Sequence, residues 1–159
     1  MIPVKSLPFV MAMLASLVFS AAVNAAGSGD YGGSSSSKAK SSDVIKAEKM
    51  IRSGRYAEAY PLLQQEVGKD ADNADIHNLL GYSARKLENY DASMAHYSKA
   101  LAIDPEHKGA LEYMGELYLT LDQPDEAEKL LARLEKICWL GCDEEDELRQ
   151  ALADWKAKQ

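Results

Sequence analysis

Residues 74–107 read ADIHNLLGYSARKLENYDASMAHYSKALAIDPEH. Asp72 or Asn73 stands where a helix N-cap belongs, apolar residues then recur at helical spacing to about Leu87, and a second such run covers Tyr90 to Ile103 until Pro105 forbids continuation. Leu80, Ala84, Tyr90, Tyr97 and Leu101 form an apolar seam between the two predicted helices, and small residues, Gly81 and Ser93, face each other so that the backbones approach closely. Neither helix alone buries that seam, so the unit needs neighbours.

The neighbours are in the chain, because the same pattern returns at an offset of 34 on both sides. Ala47, Gly81 and Gly115 share one register; so do Lys46, Leu80 and Met114, and Tyr56, Tyr90 and Pro124. Ala59, Ser93 and Ala127 are small, and Leu63, Tyr97 and Leu131 are large, at the same interval. Three copies therefore cover 40–73, 74–107 and 108–141. Copy one turns at Gly54 and has Gly68 at a helix C-terminus, and copy three opens its second helix at Pro124, whose missing N–H has no helical partner to lose. Glu66 fits worst: it occupies a junction position that favours a small residue, so either its carboxylate reaches solvent or the junction of copies one and two is irregular.

The chain resembles the tetratricopeptide repeat family. Copy two carries the motif as Leu80-Gly81, Tyr90, Tyr97, Ala100 and Pro105; copy three as Met114-Gly115, Tyr118, Ala127 and Leu131; copy one, more weakly, as Ala47, Gly54, Tyr56, Ala59 and Leu63. The resemblance implies an all-α fold, a right-handed solenoid of helical hairpins whose first helices line a concave groove for a partner protein. The family's groove positions fall on Val44, Glu48, Ile51 and Arg52 in copy one, Asn78, Tyr82, Arg85 and Lys86 in copy two, and Glu112, Glu116, Leu119 and Thr120 in copy three. In that groove Asn78 suits a peptide backbone, Arg85 a carboxylate and Tyr82 an apolar side chain; a plain solvated face is the competing reading of any one of them. The family's clamp for chaperone tails is not expected, since Val44, Glu48, Gly109 and Tyr113 stand where it needs Lys, Asn, Lys and Arg.

After the third copy, Leu148, Ala151, Leu152 and Trp155 make one stripe on a helix from about Asp143 to Lys156, a cap (142–159) that shields the last repeat from water. The acidic run Asp143–Glu147 occupies its first turns, where the helix dipole favours negative charge. Cys138 and Cys142 flank the preceding turn at Gly141. A structural disulfide closing so short a loop would stabilise by about 2 kcal/mol; a redox pair and two free thiols are the other readings, although three residues intervene where thioredoxin-like motifs have two.

The whole chain has 159 residues, room for one ordinary domain, and its 18 basic against 25 acidic side chains give a net charge of −7. That sign opposes nucleic acid and anionic membranes as partners. Lys5, an apolar run from Leu7 to Val23 and small residues at Val23 and Ala25 read as a signal peptide (1–25), too short and dilute for a stable membrane span. Residues 26–42 are a Gly/Ser-rich flexible linker. The mature region holds no phosphate-binding glycine loop, serine elbow or H-E-x-x-H, and His77, His96 and His107 are dispersed, with His96 toward the outer side of its helix, so no catalytic residue, metal site or cofactor is expected. The expectation is an exported protein-binding adaptor in an envelope assembly; a redox or folding-assistance factor and a self-associating protein are the alternatives. N-terminal sequencing of the exported protein should begin at Ala26 or Gly27; a start at Met1 or Ile2 would refute the signal peptide.

Overall fold

The computed structural model describes residues 40–159, so the signal peptide and nearly all of the linker lie outside the described residues. Seven α-helices follow one another: α1 (Ser42–Arg52), α2 (Tyr56–Val67), α3 (Ala74–Lys86), α4 (Tyr90–Ile103), α5 (Lys108–Thr120), α6 (Pro124–Ile137) and α7 (Asp143–Lys156). The described residues contain no strand and no helix long and apolar enough to cross a membrane. The fold is an all-α solenoid of three hairpins, α1/α2, α3/α4 and α5/α6, each packed on the next, with α7 closing the array against α5 and α6.

Local chemistry explains the boundaries. Ser41, Asn73 and Asn89 accept hydrogen bonds from the free backbone N–H groups of Val44, Ile76 and Ala92. His107 does the same for Ala110 through Nδ1 at 3.1 Å. Pro124 opens α6. The three hairpin turns share a left-handed residue: Gly54 (φ 73°), Glu88 (φ 60°) and Asp122 (φ 60°), spaced by the repeat. At each turn the following N–H reaches back five residues, Arg55 to Met50, Asn89 to Ala84 and Gln123 to Tyr118, at 2.8–2.9 Å.

Packing follows the small positions. Ser93 Oγ donates to the Gly81 carbonyl at 2.8 Å, and a Cβ on Gly81 would stand 2.6 Å from the Tyr97 ring. At Gly115 the same space is taken by Leu148 of α7, also at 2.6 Å. Of the expected seam, Leu80, Ala84 and Tyr97 are buried, while Tyr90 and Leu101 are half-buried at its edge. Leu148 and Leu152 are buried, with Ala151 and Trp155 packed beside them, so α7 presents the expected stripe to the third repeat.

Glu66 overturns the first reading offered for it, escape of the carboxylate to solvent. It is buried, and it neither escapes to solvent nor goes unpaired, because Lys69 Nζ and Ser41 Oγ each approach its carboxylate at 2.5 Å. Those two donors, Lys69 first, hold its pKa below the usual carboxylate value.

The turn residues generate a prediction. A non-glycine residue in the left-handed region is strained, whereas glycine is not. Glu88→Gly and Asp122→Gly should each raise stability by about 0.5–1 kcal/mol after the entropy cost of glycine, and Gly54→Ala should lower it by about 1 kcal/mol. Urea midpoints at unchanged m-value measure all three.

Candidate functional site

The first helices α1, α3 and α5 lie side by side, with α7 in the place of a fourth. This arrangement sorts the expected groove positions by register. Val44, Asn78 and Glu112 are all buried, because the next first helix covers each of them; Ile51 and Leu119 are likewise buried. Val44 and Ile51 belong to the core of the first two repeats, and Leu119, 8% exposed, to that of the third. Asn78, Leu119 and Glu112, the last 2% exposed, are therefore corrected from groove wall to interior. The face keeps Tyr82 and Glu116, half-buried, and Arg52, Lys86 and Thr120, exposed. Glu48 is buried at its edge and ion-paired with Lys40 at 2.6 Å.

Copy two assembles a compact recognition cluster. The Arg85 guanidinium, nearly buried, forms an ion pair with Glu116 of the next repeat. It also lies 5.5 Å from the centroid of the Tyr82 ring and 5.8 Å from that of Tyr113, within cation–π range. Lys86 Nζ approaches the Tyr82 ring at 5.3 Å, and Tyr82 packs on Tyr113 at 4.9 Å and edge-on to Tyr56 at 6.0 Å between centroids. Asn78 Oδ1 and Arg85 Nε are buried in this wall without a hydrogen-bond partner. Tyr113 is the member that sequence reasoning missed as an aromatic contact; its spacing of 31 from Tyr82 is not a repeat register.

The acidic end behaves differently. Burial under α7 raises the Glu112 pKa to about 10, aided by a hydrogen bond to Glu147 and by the negative charges of Glu147, Glu116 and Glu144. Glu112 is thus a neutral carboxylic acid at pH 7, sealed by the cap. Beyond it, the Sγ atoms of Cys138 and Cys142 are 2.12 Å apart, at bonding distance, joining the end of α6 to the start of α7. Glu145 lies close to both sulfurs, but sulfurs bonded to one another offer a metal no thiolate, and Arg149 takes this carboxylate. Between the cysteines, Trp139 and Leu140 are 82% and 80% exposed.

The histidines are not dispersed as expected. His107 is a structural cap that also contacts Asp75 through Nε2 at 3.1 Å. His96, instead of facing outward, is half-buried against His77 and Tyr60. Burial lowers the pKa of both His77 and His96.

Among known families, two tetratricopeptide repeat models match this chain, over residues 51–108 and 84–137. Together they span more than half of it. No curated protein sequence matches significantly. The first TPR domain of human RPAP3 superposes with a TM-score of 0.63 at 21% identity, covering 74% of this chain and 94% of that domain. The second RPAP3 domain, in complex with an HSP70 peptide, gives 0.63 at 16%, covering 72% and 92%. The Yersinia enterocolitica type III secretion chaperone SycD, in complex with a peptide of the translocator YopD, gives 0.63 at 21%, covering 73% and 91%. At these identities the likeness is one of fold.

Opposed pKa shifts make a test of the cap. A histidine lowered in the fold costs stability as pH falls below about 6.5, whereas a carboxyl raised in the fold costs stability as pH rises above about 4.3. Glu112→Gln removes the second slope and keeps the shape. Melting temperature should therefore gain more between pH 5 and pH 8 in the variant than in the native protein; equal gains would mean that Glu112 is ionised under α7.

Proposed function

Because the chain belongs to the tetratricopeptide repeat family, we propose that it is an exported adaptor that holds an extended segment of a partner protein against the α1, α3 and α5 face in a cell-envelope assembly. The observation that carries this reading is the accessible part of that face, where the half-buried Tyr82–Tyr113 pair lies beside the exposed cations Lys86 and Arg52. An extended peptide supplies an apolar side chain for the rings. Lys86 and Arg52, both exposed on the same face, add a preference for a carboxylate. The peptide complexes of structurally similar domains support the mode of binding and leave the partner open. In this reading the Cys138–Cys142 pair serves as a tether for α7.

A second contact surface is favoured by Trp139 and Leu140, which stand out from the turn between α6 and α7. Self-association through this tip would appear as a mass that rises with concentration in light scattering and falls back in Trp139→Ser.

The deciding experiment is a pull-down from solubilised envelope with the exported form as bait, beside Asn78→Ala/Tyr82→Ala/Arg85→Ala and beside Arg52→Glu/Lys86→Glu, whose exposed positions leave packing intact. The expected result is one partner retained by the native bait and lost by both folded variants. Equal recovery on all three baits would remove the groove from the proposal.

A further inference from the structure

We propose that His77 and His96 together hold one divalent transition-metal ion through their Nδ1 atoms. His77 lies on α3 and His96 on α4, and the hairpin brings the two Nδ1 atoms to 3.2 Å from each other. The ring centroids are 5.5 Å apart, so without the ion the two Nδ1 atoms meet nearly head-on. Metal–imidazole bonds of about 2.0–2.1 Å across the 3.2 Å separation need an N–metal–N angle of about 100°, between octahedral and tetrahedral geometry, which the rings reach by each turning about 40° off that line. Imidazole pairs of this kind select Zn²⁺, Ni²⁺ or Cu²⁺ over Ca²⁺ and Mg²⁺.

The tautomers are set from behind. His77 Nε2 is 3.1 Å from the Ala71 carbonyl, which only accepts, so Nε2 carries the hydrogen and Nδ1 of the neutral ring presents its lone pair. His96 Nε2 is 3.3 Å from the Tyr60 hydroxyl on α2, which either donates or accepts. Without metal, His96 donates Nδ1–H to His77 and accepts from Tyr60. When the ion binds, the His96 proton moves from Nδ1 to Nε2 and is donated to the Tyr60 oxygen, freeing the second lone pair with no net proton released from the neutral pair. Both ligands thus already have the outer hydrogen bonds, one to a backbone carbonyl and one to a hydroxyl, that orient metal-bound histidines.

Burial disfavours the charged form of both rings, and the neutral ring is the form a metal takes. The charges that act on His77 are Lys99 and Asp72, and these two pair with one another at 3.1 Å, which offsets the cation nearest the site. His96 is only half-buried, so water can complete the coordination. The ion would tie α3 and α4 together and, through Tyr60, fasten the first repeat to the second.

The test is titration of the full exported protein with Zn²⁺. Calorimetry should find one equivalent bound by the native protein, binding at least tenfold weaker in His77→Gln and in His96→Gln, a smaller loss in Tyr60→Phe, and no change in His107→Gln, with Ca²⁺ giving no heat. Long-range ¹H–¹⁵N spectra of the native protein give a readout that needs no variant: the Nδ1 signals of His77 and His96 should move together while His77 Nε2 stays protonated and His96 Nε2 gains its proton. Absence of binding, binding that leaves those Nδ1 signals in place, or binding lost in His107→Gln would each overturn the site.

Discussion

The close approach of α3 and α4 at Gly81 is the constraint on which the array rests. Tyr97 fills the volume that a side chain on residue 81 would need, and Ser93 bonds to the carbonyl of the same residue. With the backbones this near, Tyr97 is wholly buried and the two helices act as one slab that stacks on its neighbours. In the third repeat the corresponding glycine receives Leu148 of α7 instead. One small residue per repeat thus builds the hairpin in the middle of the array and seats the cap at its end.

That stacking also decides what the binding face can contain. Each first helix spends two of its groove registers on the helix that follows, which leaves a narrower strip than the family pattern implies. Where the covered register holds isoleucine or leucine it joins the core. Where it holds Arg85, the charge needs a partner from the next helix and finds Glu116. The recognition cluster of copy two is therefore held rigid by an ion pair between repeats, with its aromatic rings stacked around the guanidinium.

Most of the backbone was legible from periodicity and punctuation. The offset of 34, the caps at Asn73 and Pro124, the turn at Gly54 and the stripe on α7 all correspond to local chemistry that a one-dimensional reading can see. Exposure was less legible, because it depends on which helix lies over a residue. Glu112 and Leu119 occupy groove registers and are covered by later helices. His96 sits 19 residues from His77 and 36 from Tyr60, distances along the chain that no simple motif flags. Glu66 was recognised as a misfit, but its resolution by Ser41 and Lys69 required knowing that the residue before α1 reaches the end of α2.

The shared left-handed turn has a consequence for how the gene itself can change. Since positions 54, 88 and 122 are equivalent in backbone, removing or duplicating 34 codons would preserve every hairpin. It would not preserve the electrostatics. Excising residues 74–107 would set Ile51 beside Glu116 in place of Arg85, leaving a carboxylate in the seam with no cation, and would take the His77–His96 pair away entirely. The copies are interchangeable as shapes and not as charges, so recombination between them is limited by ion pairing even where the repeat frame would permit it.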